Sequence, residues 1–138
     1  MTFVAIQPGL TGQVSLVVAE EHTAGHLGSG GVKVLATPQM ILLMEQASVA
    51  AVDPLLPEGY RTVGVHLDIR HLAPTPIGFE AKATSQLIEV EGRRLTFRLH
   101  VHDAVELVGE GTHQRAIINV QQFAERVAQK ETGARSDV

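Results

Sequence analysis

The fold is decided where the chain changes period, in LATPQMILLMEQASVAAV (35–52), DPLLPEGY (53–60) and RTVGVHLDIRH (61–71). In the first run Thr37-Pro38 reads as a helix start, with Thr at the N-cap and Pro at the first helical position. Asp53-Pro54 and then Pro57-Glu58-Gly59 stop that helix near Val52. Met40, Ile41, Leu42, Leu43, Met44, Ala47, Val49, Ala50, Ala51 and Val52 cover every side of it, so the helix is expected to be wrapped rather than laid on a surface. In the last run the period falls to two: Val63, Val65, Leu67 and Ile69 alternate with Thr62, Gly64, His66, Asp68 and Arg70, as in a strand with one buried face. His71 keeps the buried parity.

Outward from this segment the pattern is mostly strand. Residues 12–19, GQVSLVVA, read as a first strand. A loop follows, centred on HLGSGGVK (26–33); without a GK[ST] ending or a βαβ context it reads as a flexible loop or flap rather than a phosphate cradle. Downstream, Thr75 to Gly78 form a turn. Residues 79–91 make a strand with Phe79, Ala81, Ala83 and Leu87 on one face, and Glu91-Gly92 begins a hairpin. Leu95, Phe97, Leu99 and Val101 alternate in the next strand, Asp103-Ala104 turns, and 105–120 form a last strand with Gly109 and Gly111 as bulge or close-approach points. Residues 121 to about 130 read as a helix, ending in a polar, disordered stub. One antiparallel sheet curled around one long helix satisfies these patterns: an α+β chain with the hot-dog fold, a single domain over 1–138 in which 121–138 form a terminal helix and tail.

Composition narrows the function. With 11 Lys and Arg against 15 Asp and Glu, the chain has no basic field for nucleic acid. Cysteine is absent, which removes disulfides, thiolate metal sites and a Cys nucleophile. MTFVAIQPGLTG lacks the basic start and apolar run of a signal peptide, and no apolar stretch is long enough to span a bilayer. The expectation is a cytoplasmic protein with no membrane partner.

Glu45 is the anomaly in the apolar helix. Its neighbours three and four positions away are Ile41, Leu42, Ser48 and Val49, so a carboxylate there has to find donors or take up a proton. It is either an active-site acid or a group shown to solvent or to an ion pair. His71 ends a buried row just before Ala-Pro-Thr-Pro, poised between core and rim, where a satisfied core histidine and a catalytic one are both open readings. Thr37, at a helix N-terminus, sits where free N–H groups suit an oxyanion or a thioester carbonyl. Eight helical residues rise about 12 Å, so Thr37 and Glu45 cannot touch within one uninterrupted helix; a neighbouring subunit could bring them together. Arg115 lies among apolar residues of the last strand and calls for a carboxylate partner. His100 and His102, and likewise His66 and Asp68, read as solvated strand faces, and Arg93 and Arg94 as surface residues that could meet a substrate phosphate.

LATPQMILLMEQAS, HLAPTPIG, VEGRRLTFRLHVHDAVELVGEGTHQRAIINV and FAERVAQK, taken in order, resemble the fluoroacetyl-CoA thioesterase branch of the hot-dog thioesterases. The resemblance implies a homodimeric acyl-CoA thioesterase, able to associate further into a tetramer, with substrate along the subunit interface. The family's catalytic Thr, Glu and His fall on Thr37, Glu45 and His71. Its arginine near the site falls on Arg115, and Gly30 and Gly31 lie in the segment expected to contact substrate. No metal and no separate cofactor are implied, since coenzyme A arrives as part of the substrate. GSGGVKV before Thr37 is shorter than the aromatic lid of the fluoroacetyl-specific enzyme, which shifts the expected substrate to another short or medium acyl-CoA. A non-catalytic acyl-CoA-binding module and a hot-dog hydratase or dehydratase are the competing readings.

Overall fold

The computed structural model describes residues 2–136. Its elements run β1 (Thr11–Val17), α1 (Ala24–Leu27), α2 (Thr37–Val52), β2 (Tyr60–His71), β3 (Glu80–Glu91), β4 (Arg94–His102), β5 (Leu107–Asn119) and α3 (Val120–Ser136). The strands form one antiparallel sheet in the order β1-β3-β4-β5-β2. Its concave face holds α2: the hot-dog architecture expected from the change of period. Leu87, Leu95, Phe97, Leu99 and Val101 have no exposed surface and pack with Met40, Leu43, Met44, Ala47, Ala51 and Val52 of the helix. Each of the Val, Leu, Phe and Met side chains among them contributes about 1.5–3 kcal/mol by leaving water. Among the described residues no helix is long and apolar enough to cross a membrane.

Glycines set how deeply the helix sits. A Cβ on Gly12 of β1 would lie 2.6 Å from the Ala51 backbone nitrogen, and one on Gly109 of β5 would lie 2.5 Å from Met40 Sδ. Missing side chains therefore let α2 settle directly on two strands. Gly109 is one of the two close-approach points expected from the sequence.

Four expectations change. First, α2 is not wrapped within one chain. Ile41, Glu45 and Val49 are only half-buried and Leu42 is 44% exposed, because five strands can cover only one side of a helix. Second, the parity of β2 switches midway. Val65 is an unpaired bulge residue between Gly64, opposite Arg115, and His66, opposite Gln114. Leu67, Ile69 and His71 lie on the face predicted for them, but before the bulge it is Thr62 and Gly64, not Val63 and Val65, that share the face of Arg115.

Third, Ala36 rather than Thr37 is the N-cap of α2; the Thr37 hydroxyl is engaged with His71 and makes no cap. Fourth, the segment before α2 is more structured than a flexible loop. Ala24 and Gly25 donate to the Val34 and Val32 carbonyls, Leu35 donates to Thr75 O, and Ala36 donates to His22 O, leaving residues 28–33 as its exposed tip. Smaller shifts follow at element ends: Phe79 precedes β3 and is exposed, Ser85 takes an inward place on that strand, and α3 continues helical to Ser136 where a disordered stub was expected. Residues 137 and 138 of that stub lie outside the described residues.

Candidate active site

Two polar centres lie along the outward side of α2. At its start, Thr37 Oγ1 is 2.7 Å from Nδ1 of His71, the last residue of β2. His71 lies opposite Gly109 in the ladder, and Gly109 is the residue that receives Met40 from the first turn of α2. The same close approach that seats the helix thus delivers Thr37 to His71. The other ring nitrogen, Nε2, is buried and has no hydrogen-bond partner among the described residues. Burial pushes the His71 pKa below the ordinary 6.5, with the Ala73 backbone acting in the opposite sense. A neutral imidazole with one committed nitrogen and one free nitrogen can, according to its tautomer, donate a hydrogen bond to a bound ligand or accept a proton from it.

Two turns further along α2, Glu45 meets Arg115 of β5, with NH1 to Oε2 at 3.5 Å. Arg115 is the inward cation expected to seek a carboxylate, and Glu45 is its partner. The Glu45 side chain keeps about a third of its surface in solvent (34%), so the acid is neither stranded in the core nor free in water. Gly64 makes the approach possible, since a Cβ there would lie 3.0 Å from Glu45 Oε2 and 3.3 Å from His113 Cε1. Behind the pair, Arg115 Nε and NH2 donate to the Thr62 hydroxyl and carbonyl at 2.8 and 2.9 Å. The Thr62 hydroxyl in turn donates to Asp53 at 2.6 Å. Burial lowers the Arg115 pKa, while Asp53 and Glu45 oppose it; guanidinium remains charged. A cleft of about 260 Å³ lined by Glu45, Gly64, Val65, His66, Leu67 and His113 opens on one side of the carboxylate. A second, of about 300 Å³, is lined by Leu42, Glu45, Gln46, Val49 and Arg115.

Within one chain the two centres stay apart. The helix is uninterrupted, and eight residues separate them by about 12 Å of rise. Gly30 and Gly31 lie on the exposed loop tip, where a Cβ on Gly31 would meet nothing within 4 Å. Among the described residues no three His, Asp or Glu side chains could hold a metal; His100 and His102 only tilt against each other at 6.3 Å on the outer face.

The arrangement defines a class: a hot-dog domain with a helix-borne carboxylate and a strand-end histidine. Comparison with known proteins gives the family. The model of the fluoroacetyl-CoA-specific thioesterase family matches residues 18–121. The fluoroacetyl-CoA thioesterase of Streptantibioticus cattleyicolor is 43% identical over 98 residues, 71% of this chain and 70% of that protein. A crystal structure of the fluoroacetyl-CoA-specific thioesterase superposes with a TM-score of 0.84 at 36% identity, covering 91% of this chain and 98% of the other. A thioesterase superfamily member from Thermus thermophilus gives 0.88 at 25% identity over 95% and 97% of the two chains. The chain belongs to the fluoroacetyl-CoA-specific thioesterase family.

Sequence reading passed over two residues of this region. His113 shares the period-two face of Arg115 and Ile117 and is fully buried; that parity was the available signal. Asp53 read only as a helix stop, because its link to Thr62 spans nine residues and a change of element.

Proposed function

We propose that this member of a thioesterase family hydrolyses a short or medium acyl-CoA thioester to the free acid and CoA, acting in the cytoplasm as a homodimer. The observation that carries the reading is the Thr37–His71 pair with its unpartnered Nε2, borne with the Glu45–Arg115 pair on one helix. Either Glu45 takes a proton from water as hydroxide adds to the acyl carbon, or it attacks directly and the mixed anhydride so formed is then hydrolysed by water to release the acid and regenerate the carboxylate. The C–S bond breaks as the tetrahedral adduct collapses, while His71 polarises the carbonyl or relays to the departing thiolate a proton that water supplies. Thr37 orients the carbonyl or the carboxylate, and Arg115 keeps the carboxylate in place. Two clefts beside Glu45, one walled in part by Val65 and Leu67 and the other by Leu42 and Val49, suit a compact acyl group, and the Gly-rich tip containing Gly30 and Gly31 supplies no aromatic lid.

A second copy supports this chemistry by closing the distance between the centres. Leu42, Val65 and Leu67 are 44%, 46% and 40% exposed around the Glu45 clefts, and β2 is an edge strand with one side unpaired. A partner covering that face would bring its own Thr37 and His71 towards Glu45. Free CoA release from a graded acyl-CoA series, with wild type, Glu45→Ala and His71→Ala, tests the reading. Binding of CoA esters without turnover by wild type would assign a carrier role instead, and loss of enoyl-CoA absorbance without CoA release would assign hydration.

A further inference from the structure

His113 is buried completely between β2, β4 and α2, and each of its ring nitrogens has one partner. Nδ1 is 2.8 Å from the carbonyl oxygen of His66, and Nε2 is 3.1 Å from Arg115 NH1. A carbonyl can only accept, so Nδ1 carries the proton; a guanidinium can only donate, so Nε2 is bare. The network therefore admits one tautomer, the neutral Nδ1–H form. Burial also lowers the His113 pKa below the ordinary 6.5, against the opposing influence of the His66 carbonyl.

The geometry of Arg115 gives this tautomer a consequence. Nε and NH2 are both tied to Thr62, which fixes the guanidinium plane. NH1 has two hydrogens in that plane and two partners, His113 Nε2 and Glu45 Oε2. An acceptor that takes one of them leaves the other for the carboxylate. Resting on the hydrolase reading above, we propose that His113 is a positioning residue for Glu45: its bare Nε2 saturates one NH1 hydrogen of Arg115 and aims the other at the carboxylate that acts on the ester.

Side chains of graded reach test this. Gln at 113 can place an amide oxygen where Nε2 lies; Asn can keep the bond to the His66 carbonyl but is too short to reach Arg115. For CoA release, His113→Asn should lower kcat about 10- to 100-fold, the worth of a hydrogen bond to a charged group, with KM little changed. His113→Gln should retain most of the kcat. In an Arg115→Met background His113→Asn should cost nothing further, since the two residues act as one unit. Equal losses for Asn and Gln that follow the thermal midpoint, or losses that multiply with Arg115→Met, would overturn the proposal. Nitrogen-15 NMR of histidine-labelled wild type supplies a check independent of any variant: Nδ1 should be protonated and Nε2 bare, and a proton on Nε2 would also overturn it. An inactive wild type would sink the hydrolase reading, whereas an active wild type indifferent to His113→Asn would sink this inference alone.

Discussion

The two centres on α2 differ in how completely their hydrogen bonds are used. Around Arg115 the assigned contacts interlock: Asp53 holds Thr62, Thr62 and His113 hold the guanidinium, and the guanidinium holds Glu45. At His71 there is one bond, to Thr37, and a buried nitrogen without a partner. The first arrangement is preorganised, its dipoles fixed before any ligand arrives. The second has a vacancy in its hydrogen bonding that a ligand can fill. In the proposed hydrolysis a saturated carboxylate clamp and an unsaturated imidazole would be complementary demands, and the fold places one in mid-strand and the other at a strand end.

The largest expected effects come from deleting either centre. Glu45→Ala and His71→Ala should each lower kcat for CoA release by about 10²- to 10⁴-fold. Because the centres are separated along one helix, mixing the two inactive variants as heterodimers should restore about a quarter of the wild-type rate, one intact site in half of the dimers. No recovery on mixing would mean that each chain completes its own site.

Next come glycine substitutions that disturb one centre at a time. Gly64→Ala would push its new methyl against Glu45 Oε2, a movable carboxylate, so kcat should fall by about tenfold or more while the thermal midpoint changes little. The new methyl of Gly109→Ala would meet the Met40 thioether and lie 3.1 Å from the Arg70 carbonyl, so the buried Met40 side chain in the first turn of α2 must repack. There we expect about 1–3 kcal/mol of destabilisation in a denaturant titration, together with a weakened Thr37–His71 pair. If both variants lost only stability, the distinction between the centres would have no functional content.

The smallest effect is that of pH. His71 and His113 both have folded-state pKa values below 6.5, because burial disfavours the imidazolium. The unfolded chain therefore binds protons first as pH falls. Stability contributed by the neutral rings is fully present above about pH 6.5 and is lost progressively below it. Denaturation midpoints should thus be flat above that value and decline beneath it, with a shallower decline in His113→Gln. A midpoint that rose on acidification would contradict the assignment of both rings as neutral.

The architecture was legible because α2 is an apolar run bounded by a Thr-Pro start and an Asp-Pro stop, and because Leu95, Phe97, Leu99 and Val101 of β4 alternate without interruption. Glu45 and Arg115 stood out as charges in apolar runs, His71 as an imidazole ending a buried row, and Thr37 as the residue at a helix start. Which of them meet did not follow from spacing. The Glu45–Arg115 pair spans 70 residues and depends on a glycine between them in space, not in sequence. Strand β2 misled for a physical reason: alternation presumes an unbroken ladder, and Val65 breaks it.

That extra residue has a consequence for how the strand can change over time. Deleting Val65 would join Gly64 directly to His66 and leave both flanks in their present pairing, Gly64 opposite Arg115 and His66 opposite Gln114. Thr62 would still face Arg115 and Gly64 would still lie beneath Glu45, while the ladder lost its one irregularity between Gly64 and His66. The bulge is thus slack held in the strand: one residue can be lost here without turning either flank over, which a ladder already in strict alternation does not allow.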